Sequence, residues 1–475
     1  MDDTSFEPIN AGKGKEKAWQ VDWTCLSVGD LERRQQTDAE AVAGILAVKP
    51  AEAIILLRHW GWNKDRLIER YMDSPERCNA EAGLESGRQP RLKRMRGFVC
   101  EICFDDVAGA ETIALTCDHR FCRTCYTHYL EQKITSDGES RRIQCMQSKC
   151  KLIVDEKTVE LLVPKATADK YKVLLNRTYV DDSSTLRWCP APNCEFAIEC
   201  HVPAKALDTI IPTVKCECGH AFCFGCGLPD HQPCICPLVK RWLKKCADDS
   251  ETANWISANT KECPKCMATI EKNGGCNHMT CKKCKYEFCW VCMGEWSAHG
   301  TSWYSCNRYE EKAGDSKDAQ SKSRASLERY LFYYNRYANH EQSAKLEKEL
   351  FIKIEKKMEE MQNSSQLSWI EVQFLKKAVE TLSACRATLR WSYAHAFYLV
   401  KNNETHIFED NQADLEHAVE GLSGMIEQPI EPDTIAQLRA DVTNKSAYVH
   451  KRHEVLLDDT LRLSFDNRWE YSIEI

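Results

Sequence analysis

The chain has 475 residues, 28% of them charged, with 28 cysteines and a formal net charge of −7. That length accommodates several domains, and no run approaches the ~20 apolar residues needed to cross a membrane. The acidic balance argues against a nucleic-acid binder, which needs a basic face to neutralise phosphates.

Residues 1–28 are polar and without periodicity, and are expected to be flexible apart from Trp19 and Trp23. The opening Met-Asp-Asp-Thr-Ser has no apolar signal core. From 29 to 85 apolar residues recur at helical spacing, as Val42/Ile45/Leu46, Ala53/Ile54/Leu57 and Leu67/Ile68/Tyr71, with breaks at Pro50 and Gly61. This predicts three short helices, too small a bundle to be stable alone and so docked or partner-binding. Trp60 and Trp62, at a helix turn, are expected mainly to bury area.

Between Cys100 and Cys306 lie 25 of the 28 cysteines, which demands either disulfides or metal sites. Without a secretory signal, reduced thiols holding zinc in the cytosol are the expectation. The basic run Arg91–Arg96 reads as a solvated linker and leaves nuclear access open. A first module (96–160) reads Cys100-x2-Cys103, Cys117-x-His119, Cys122-x2-Cys125, Cys145-x4-Cys150. The short gap between its second and third pairs predicts a cross-brace. Cys100, Cys103, Cys122 and Cys125 take one ion, and Cys117, His119, Cys145 and Cys150 the other. His128 is a spare surface histidine.

After a helical linker (161–187), a second module (188–237) reads Cys189-x4-Cys194, Cys216-x-Cys218, Cys223-x2-Cys226, His231-x4-Cys236. Cys200, Cys234, His201 and His220 are extra, and Cys234 competes with Cys236 as last ligand. A second linker (238–260) leads to the third module (261–308). Cys263/Cys266, Cys281/Cys284, Cys289/Cys292 and His299/Cys306 supply eight ligands, enough for two tetrahedral ions. Six ions on 21 thiolates would carry the formal charge to about −16. Cys276 and His278 remain over, in Asn273-Gly-Gly-Cys-Asn-His278. A thiol beside an imidazole on a glycine-flanked loop is a nucleophile-and-base arrangement, and the bland reading is an idle cysteine beside a structural imidazole. A linker (309–325) precedes a helical bundle (326–475). There Val372, Leu375, Val379, Leu382, Leu389, Tyr393, Ala396 and Val400 predict one helix of about 30 residues. The fold class expected is multidomain, mainly α, with small zinc-stabilised α+β modules.

The order of the three modules resembles the RBR (RING–in-between-RING–RING) class of E3 ubiquitin ligases. Cys263-Pro-Lys-Cys266 with Ile270-Glu-Lys-Asn-Gly-Gly-Cys-Asn-His-Met279 is similar to the RING2 of the Ariadne subfamily. So are Trp242 to Trp255, Tyr330-Leu-Phe-Tyr-Tyr-Asn-Arg-Tyr337 and Trp369-Ile-Glu-Val-Gln-Phe-Leu-Lys-Lys377. The resemblance spans residues 29–475, and Trp60-Gly-Trp-Asn63 fits a ubiquitin-associated (UBA)-like domain. It implies Cys236 as the last ligand of the second module and Cys276 as acceptor of ubiquitin from an E2 conjugating enzyme. It implies His278 as base, Glu287 as its orienting carboxylate, and Ile102 and Leu115 as the E2 contact. It further implies that the C-terminal domain covers RING2 through Leu346, Glu347 and Glu420, relatives often having an aromatic at Leu346. The UBA-like domain would then meet a ubiquitin-like modifier on a cullin ligase. The competing class is a non-catalytic zinc-binding RING scaffold that only recruits an E2.

Overall fold

The computed structural model describes residues 21–85, 90–104, 111–248, 260–272, 274–298, 306–310, 319–364, 369–427 and 435–474. One compact unit comprises residues 22–201 and 215–220, and the other takes in 202–214 and 221–475. Among the described residues no helix is long and apolar enough to cross a membrane.

The first unit opens with strand β1 (Trp23–Leu26) and helices α1 (Val28–Leu46), α2 (Pro50–His59), α3 (Lys64–Asp73) and α4 (Pro75–Ala82). Ser27 caps α1, its hydroxyl accepting from the Asp30 N–H while the Asp30 carboxylate accepts from the Ser27 N–H. Pro50 begins α2, where its missing N–H has no cost. The bundle has one helix more than the sequence predicts. Helix α4 is short and polar, and brings only Cys78 and Ala82 into the core of Val42, Leu46, Ala53, Leu56, Leu57 and Leu67.

After β2 (Lys93–Arg94), β3 (Glu111–Ala114) pairs with β4 (Arg120–Cys122), followed by α5 (Arg123–Glu131), α6 (Glu156–Leu162) and α7 (Lys165–Asp182). Strands β5 (Leu186–Trp188) and β6 (Ala197–Cys200) complete a sheet of order β1-β6-β5, with Trp23 opposite Cys200 and Leu26 opposite Ala197. This corrects the expectation of flexibility for residues 24–28, from which Trp23 is excepted; residues 1–20, with Trp19, lie outside the described residues. Trp23–Leu26 is an edge strand whose Leu26 packs with Leu31, Tyr179 and Leu186. Trp62 meets the Tyr179 ring edge-on at 4.8 Å. Trp60 and Trp62 are both half-buried against apolar core.

The second unit contains α8 (Cys236–Asp248), α9 (Ala319–Ser364), α10 (Trp369–Tyr398), α11 (Asn403–Ile426) and α12 (Ile435–Phe465). Helix α10 buries Leu375, Val379, Leu382, Leu389, Tyr393 and Ala396, the stripe read from the sequence. Val400 lies beyond its end and is exposed. Trp242 of α8 is fully buried among Tyr330, Tyr337, Phe397 and Tyr398, so the helix after the second module is built into the C-terminal bundle.

Two histidines of this bundle are held neutral by burial. His395, amid Phe408, Trp469 and Tyr471, falls to about 3. His453, with its Nε2 2.7 Å from Thr388 Oγ1, falls to about 4. Their folded pKa values lie below the unfolded value, so the unfolded chain binds more protons between them and stability is lost as pH falls below about 6.5. Taking the pH from 7.5 to 5.5 should remove about 1.4 kcal/mol per histidine, read as a falling denaturant midpoint of the bundle. His395→Phe should flatten that slope, and a midpoint independent of pH over this interval would contradict the assignment.

Candidate functional site

The first module brings together the two ligand sets that its spacing predicts, Cys100/Cys103/Cys122/Cys125 and Cys117/His119/Cys145/Cys150. The second gathers Cys189/Cys194/Cys216/Cys218 and, separately, Cys223/Cys226/His231/Cys236. In the third, Cys263/Cys266/Cys281/Cys284 form one set, and Cys306 adjoins Cys289 and Cys292. His299 lies outside the described residues.

Zinc fits these sets. A tetrahedron with Zn–S bonds of ~2.3 Å has S···S edges of about 3.8 Å. The sulfurs stand 3.6 Å apart at Cys189–Cys218, Cys194–Cys216, Cys263–Cys284 and Cys266–Cys281, and 3.5 Å apart at Cys223–Cys236. Those distances far exceed a disulfide bond. His231 Nδ1 faces the Cys234 carbonyl at 2.6 Å, which leaves Nε2 for the metal. Cys234 therefore contributes its carbonyl, and Cys236 is the ligand. Each of the five complete sets offers four ligands and no open position, as a structural zinc site does.

The chelating loops share one local geometry. After Cys100, Cys263, Cys281 and Cys289, the residue four further on donates its N–H to that cysteine's carbonyl and turns left-handed, at Phe104, Met267, Lys285 and Met293. At Phe104 the turn leaves the ring 78% exposed, beside exposed Ile102 and Val99. Leu115, expected to share that apolar surface, is instead buried among Ile113, Phe121 and Tyr126. The alternation along β3 and its turn sends it inward, to the core of the module. Val99 and Phe104, not singled out from the sequence, directly flank the ligands Cys100 and Cys103 on either side of Ile102.

Cys276 follows the hairpin strands Thr260–Glu262 and Thr269–Glu271, and His278 opens the next pair, His278–Thr280 with Glu287–Cys289. His278 stacks on Trp296 at 4.3 Å, nearly parallel, and its Nε2 stands 3.3 Å from the Glu287 carboxylate. The Cys276 sulfur meets main-chain groups, the His278 N–H at 3.4 Å and the Glu420 carbonyl at 3.8 Å. His278 and Glu287 are thus paired and partly exposed, while the thiol is buried.

What buries it is the helical bundle. The Glu427 carboxylate accepts from the Cys276 N–H at 2.9 Å, and Glu420 accepts from the Asn277 N–H and side-chain amide. Fully buried Arg386 donates to the Gly275 carbonyl, to Glu420 at 2.6 Å and twice to Glu347 at 3.1 Å. A Cβ on Gly275 would stand 2.2 Å from the Glu347 carboxylate. Gly275 is therefore required for this close approach. Leu346 is half-buried beside Glu347 in sequence, and the polar contacts fall to Glu347.

Burial, and next the Glu420 carboxylate, push the Cys276 thiol well above its ordinary range, so the covered sulfur is held protonated. Burial would raise Glu420 too, but Arg386 and Lys272 outweigh it and hold the carboxylate below its usual range. Burial raises Glu427. Arg386, Lys272 and Glu427 were missed. Arg386 had a signal: it stands four residues after Leu382 and three before Leu389, a cation in the apolar stripe of α10.

Removing one partner of such a buried group leaves the others uncompensated, at about 3–5 kcal/mol. Arg386→Met is therefore expected to release the loop, with at least tenfold faster alkylation of Cys276 by peptide mapping. An unchanged alkylation rate would show that Arg386 does not hold the cover.

Comparison with known families matches residues 33–73 to an "E3 ubiquitin-protein ligase ARIH1, UBA-like domain" and 100–150 to a "Zinc finger, C3HC4 type (RING finger)". Residues 169–236 match an "IBR domain, a half RING-finger domain", 258–308 an "IBR domain" and 328–457 an "Ariadne domain". E3 ubiquitin-protein ligase dbl4 of Schizosaccharomyces pombe is 52% identical over 478 residues, covering 100% of this chain and 94% of that protein. E3 ubiquitin-protein ligase ariadne-1 of Drosophila melanogaster is 44% identical over 459 residues, covering 94% and 90%. E3 ubiquitin-protein ligase ARIH1 of Homo sapiens is 46% identical over 430 residues, covering 88% and 76%.

Proposed function

The chain belongs to the Ariadne subfamily of RBR E3 ubiquitin-protein ligases, and on that premise we propose that Cys276 carries ubiquitin as a thioester under the control of its C-terminal domain. The observation that carries the reading is the convergence of Glu420, Glu427 and Arg386 on the Gly275–Asn277 backbone, with Glu347 paired to Arg386 behind them. Neither an idle cysteine nor an E2-recruiting scaffold has need of a dedicated buried charge cluster over this one loop.

In the first step the Cys276 thiolate attacks the thioester carbonyl that joins ubiquitin to the E2. A C–S bond forms to Cys276, the bond to the E2 sulfur breaks, and the E2 leaves as a thiolate. In the second a substrate amine attacks the new thioester, the amide forms and the Cys276 thiolate departs. The amine must lose a proton, which the His278 imidazole accepts while Glu287 faces its Nε2 and Trp296 holds its plane. Thiol exchange is nearly isoenergetic, so positioning carries most of the work. The exposed Val99, Ile102 and Phe104 are the apolar surface for the E2.

The remaining assignments extend the same reading. Six zinc ions hold the three modules, His299 completing the last site. The UBA-like domain engages a neddylated cullin–RING ligase, whose binding lifts the cover from Cys276. Protein lysines are the acceptors, and the reducing cytosol keeps the ligand thiols free.

Cys276→Ser in a chain also carrying Glu347→Ala and Glu420→Ala should trap ubiquitin from a charged E2 as a reductant-resistant oxyester. The same pair of changes with Cys276 intact should raise autoubiquitination by at least about tenfold, since the lost buried charge contacts release the cover. No adduct on the serine, with activity surviving in Cys276→Ala, would sink the thioester and favour the scaffold. Native mass spectrometry should count six zinc ions, and a count of four would remove one module from the scheme.

A further inference from the structure

Lys272 directly follows the strand Thr269–Glu271 that leads into the cysteine loop, and only 3% of it is exposed. Among the described residues its ammonium reaches four oxygens. Two belong to the loop, the Gly275 carbonyl at 3.2 Å and Asn277 Oδ1 at 2.9 Å, one on either side of Cys276. Two belong to α9, Asn339 Oδ1 at 3.3 Å and Ser343 Oγ at 2.8 Å. All four are neutral oxygens, and none is a carboxylate. A buried cation without a hydrogen-bonded counter-charge is costly, and desolvation lowers its pKa to about 8. A neutral side chain of the same length would be cheaper to bury.

We propose that Lys272 is a positioning residue for Cys276, its ammonium clamping the loop on both sides of the sulfur through the Gly275 carbonyl and the Asn277 side chain, while the cover borrows the same ammonium to keep the loop shut. This rests on Cys276 being the ubiquitin acceptor. An ammonium has three protons for the four oxygens it meets here. When α9 withdraws, Asn339 and Ser343 leave, and the two loop oxygens keep a donor each. Asn277 shows the same division: its Oδ1 also accepts from Asn339 at 3.0 Å, and its amide donates to Glu420. Without the cover, Lys272 is what still holds Oδ1.

The charge balance around the sulfur changes in the same direction. In the covered state Cys276 faces Glu347 from α9, Arg386 from α10, and Glu420 and Glu427 from α11, with Lys272 and His278 from its own module. Withdrawal of the helices removes three carboxylates and one guanidinium. Lys272 then remains as the fixed cation beside the loop, which favours the thiolate.

The test uses the full zinc-loaded chain carrying Glu347→Ala and Glu420→Ala, with Lys272 intact, Lys272→Met or Lys272→Gln. Loading of Cys276 from a ubiquitin-charged E2 is timed on quenched samples, and iodoacetamide alkylation of the Cys276 peptide is followed against pH. Loading at least tenfold slower in both variants, with an alkylation midpoint about one pH unit higher and zinc content unchanged, is the expected result. Rates within twofold of the parent and an unmoved midpoint would overturn the role of Lys272 while leaving the thioester reading intact. Loss of zinc from both variants would overturn it too, by making Lys272 a folding residue. A parent that never loads Cys276 would bring down the acceptor reading, and the proposal with it.

Discussion

Arg386 is fully buried, and burial alone would favour its neutral form, yet Glu420 and Glu347 keep it charged. Its guanidinium joins α9, α10 and α11 through these two carboxylates and reaches the cysteine loop through the Gly275 carbonyl. A planar fork with five donors suits this task, and a lysine could not satisfy the same acceptors from one point. Buried ion pairs are poor general stabilisers, because desolvation offsets most of their attraction. Their use is in specifying one arrangement and in making its loss abrupt. A cover held this way is either seated or gone, which is the behaviour a regulated thiol requires.

The zinc modules supply the rigid counterpart. Each chelating loop fixes its backbone within a few residues, and two of them flank the segment from Lys272 to Thr280. The Trp290 N–H donates to the Asn277 carbonyl and ties the loop to the following knuckle. The sulfur is therefore presented on a short span between fixed ends. His278 and Glu287 belong to this rigid part and stay partly exposed when the thiol is covered. In the proposed scheme the base is in place throughout, and only access to the sulfur and the charges around it change.

Much of this was legible in the sequence because metal chemistry leaves a strict record. Spacings such as Cys100-x2-Cys103 and Cys281-x2-Cys284 reflect geometry that few other folds need, and they isolate Cys276 by subtraction. The stripe from Leu375 to Ala396 marked α10 for a similar reason, since a buried helix face must repeat. Pairing across long separations was not legible. Nothing local to Trp23 points to Cys200 as its strand partner, and the flexible reading of that segment failed for this reason. Glu427 and Lys272 look like ordinary surface residues until α11 and α9 lie over the loop. The burial of Leu115 was not legible either, since a resemblance names positions near the metal without saying which way a side chain turns.

The central claim is that the loop around Cys276 is held shut by carboxylates of the C-terminal bundle, and the amide protons of Cys276 and Asn277 report on it directly. Both are donated to glutamates of that bundle, at Glu427 and Glu420. Hydrogen exchange on the intact chain should show these two amides protected like those of a helix interior. Protection should be lost selectively when Glu347→Ala and Glu420→Ala are introduced, with the neighbouring zinc hairpins unchanged. Rapid exchange at Cys276 and Asn277 in the unaltered chain would contradict the account.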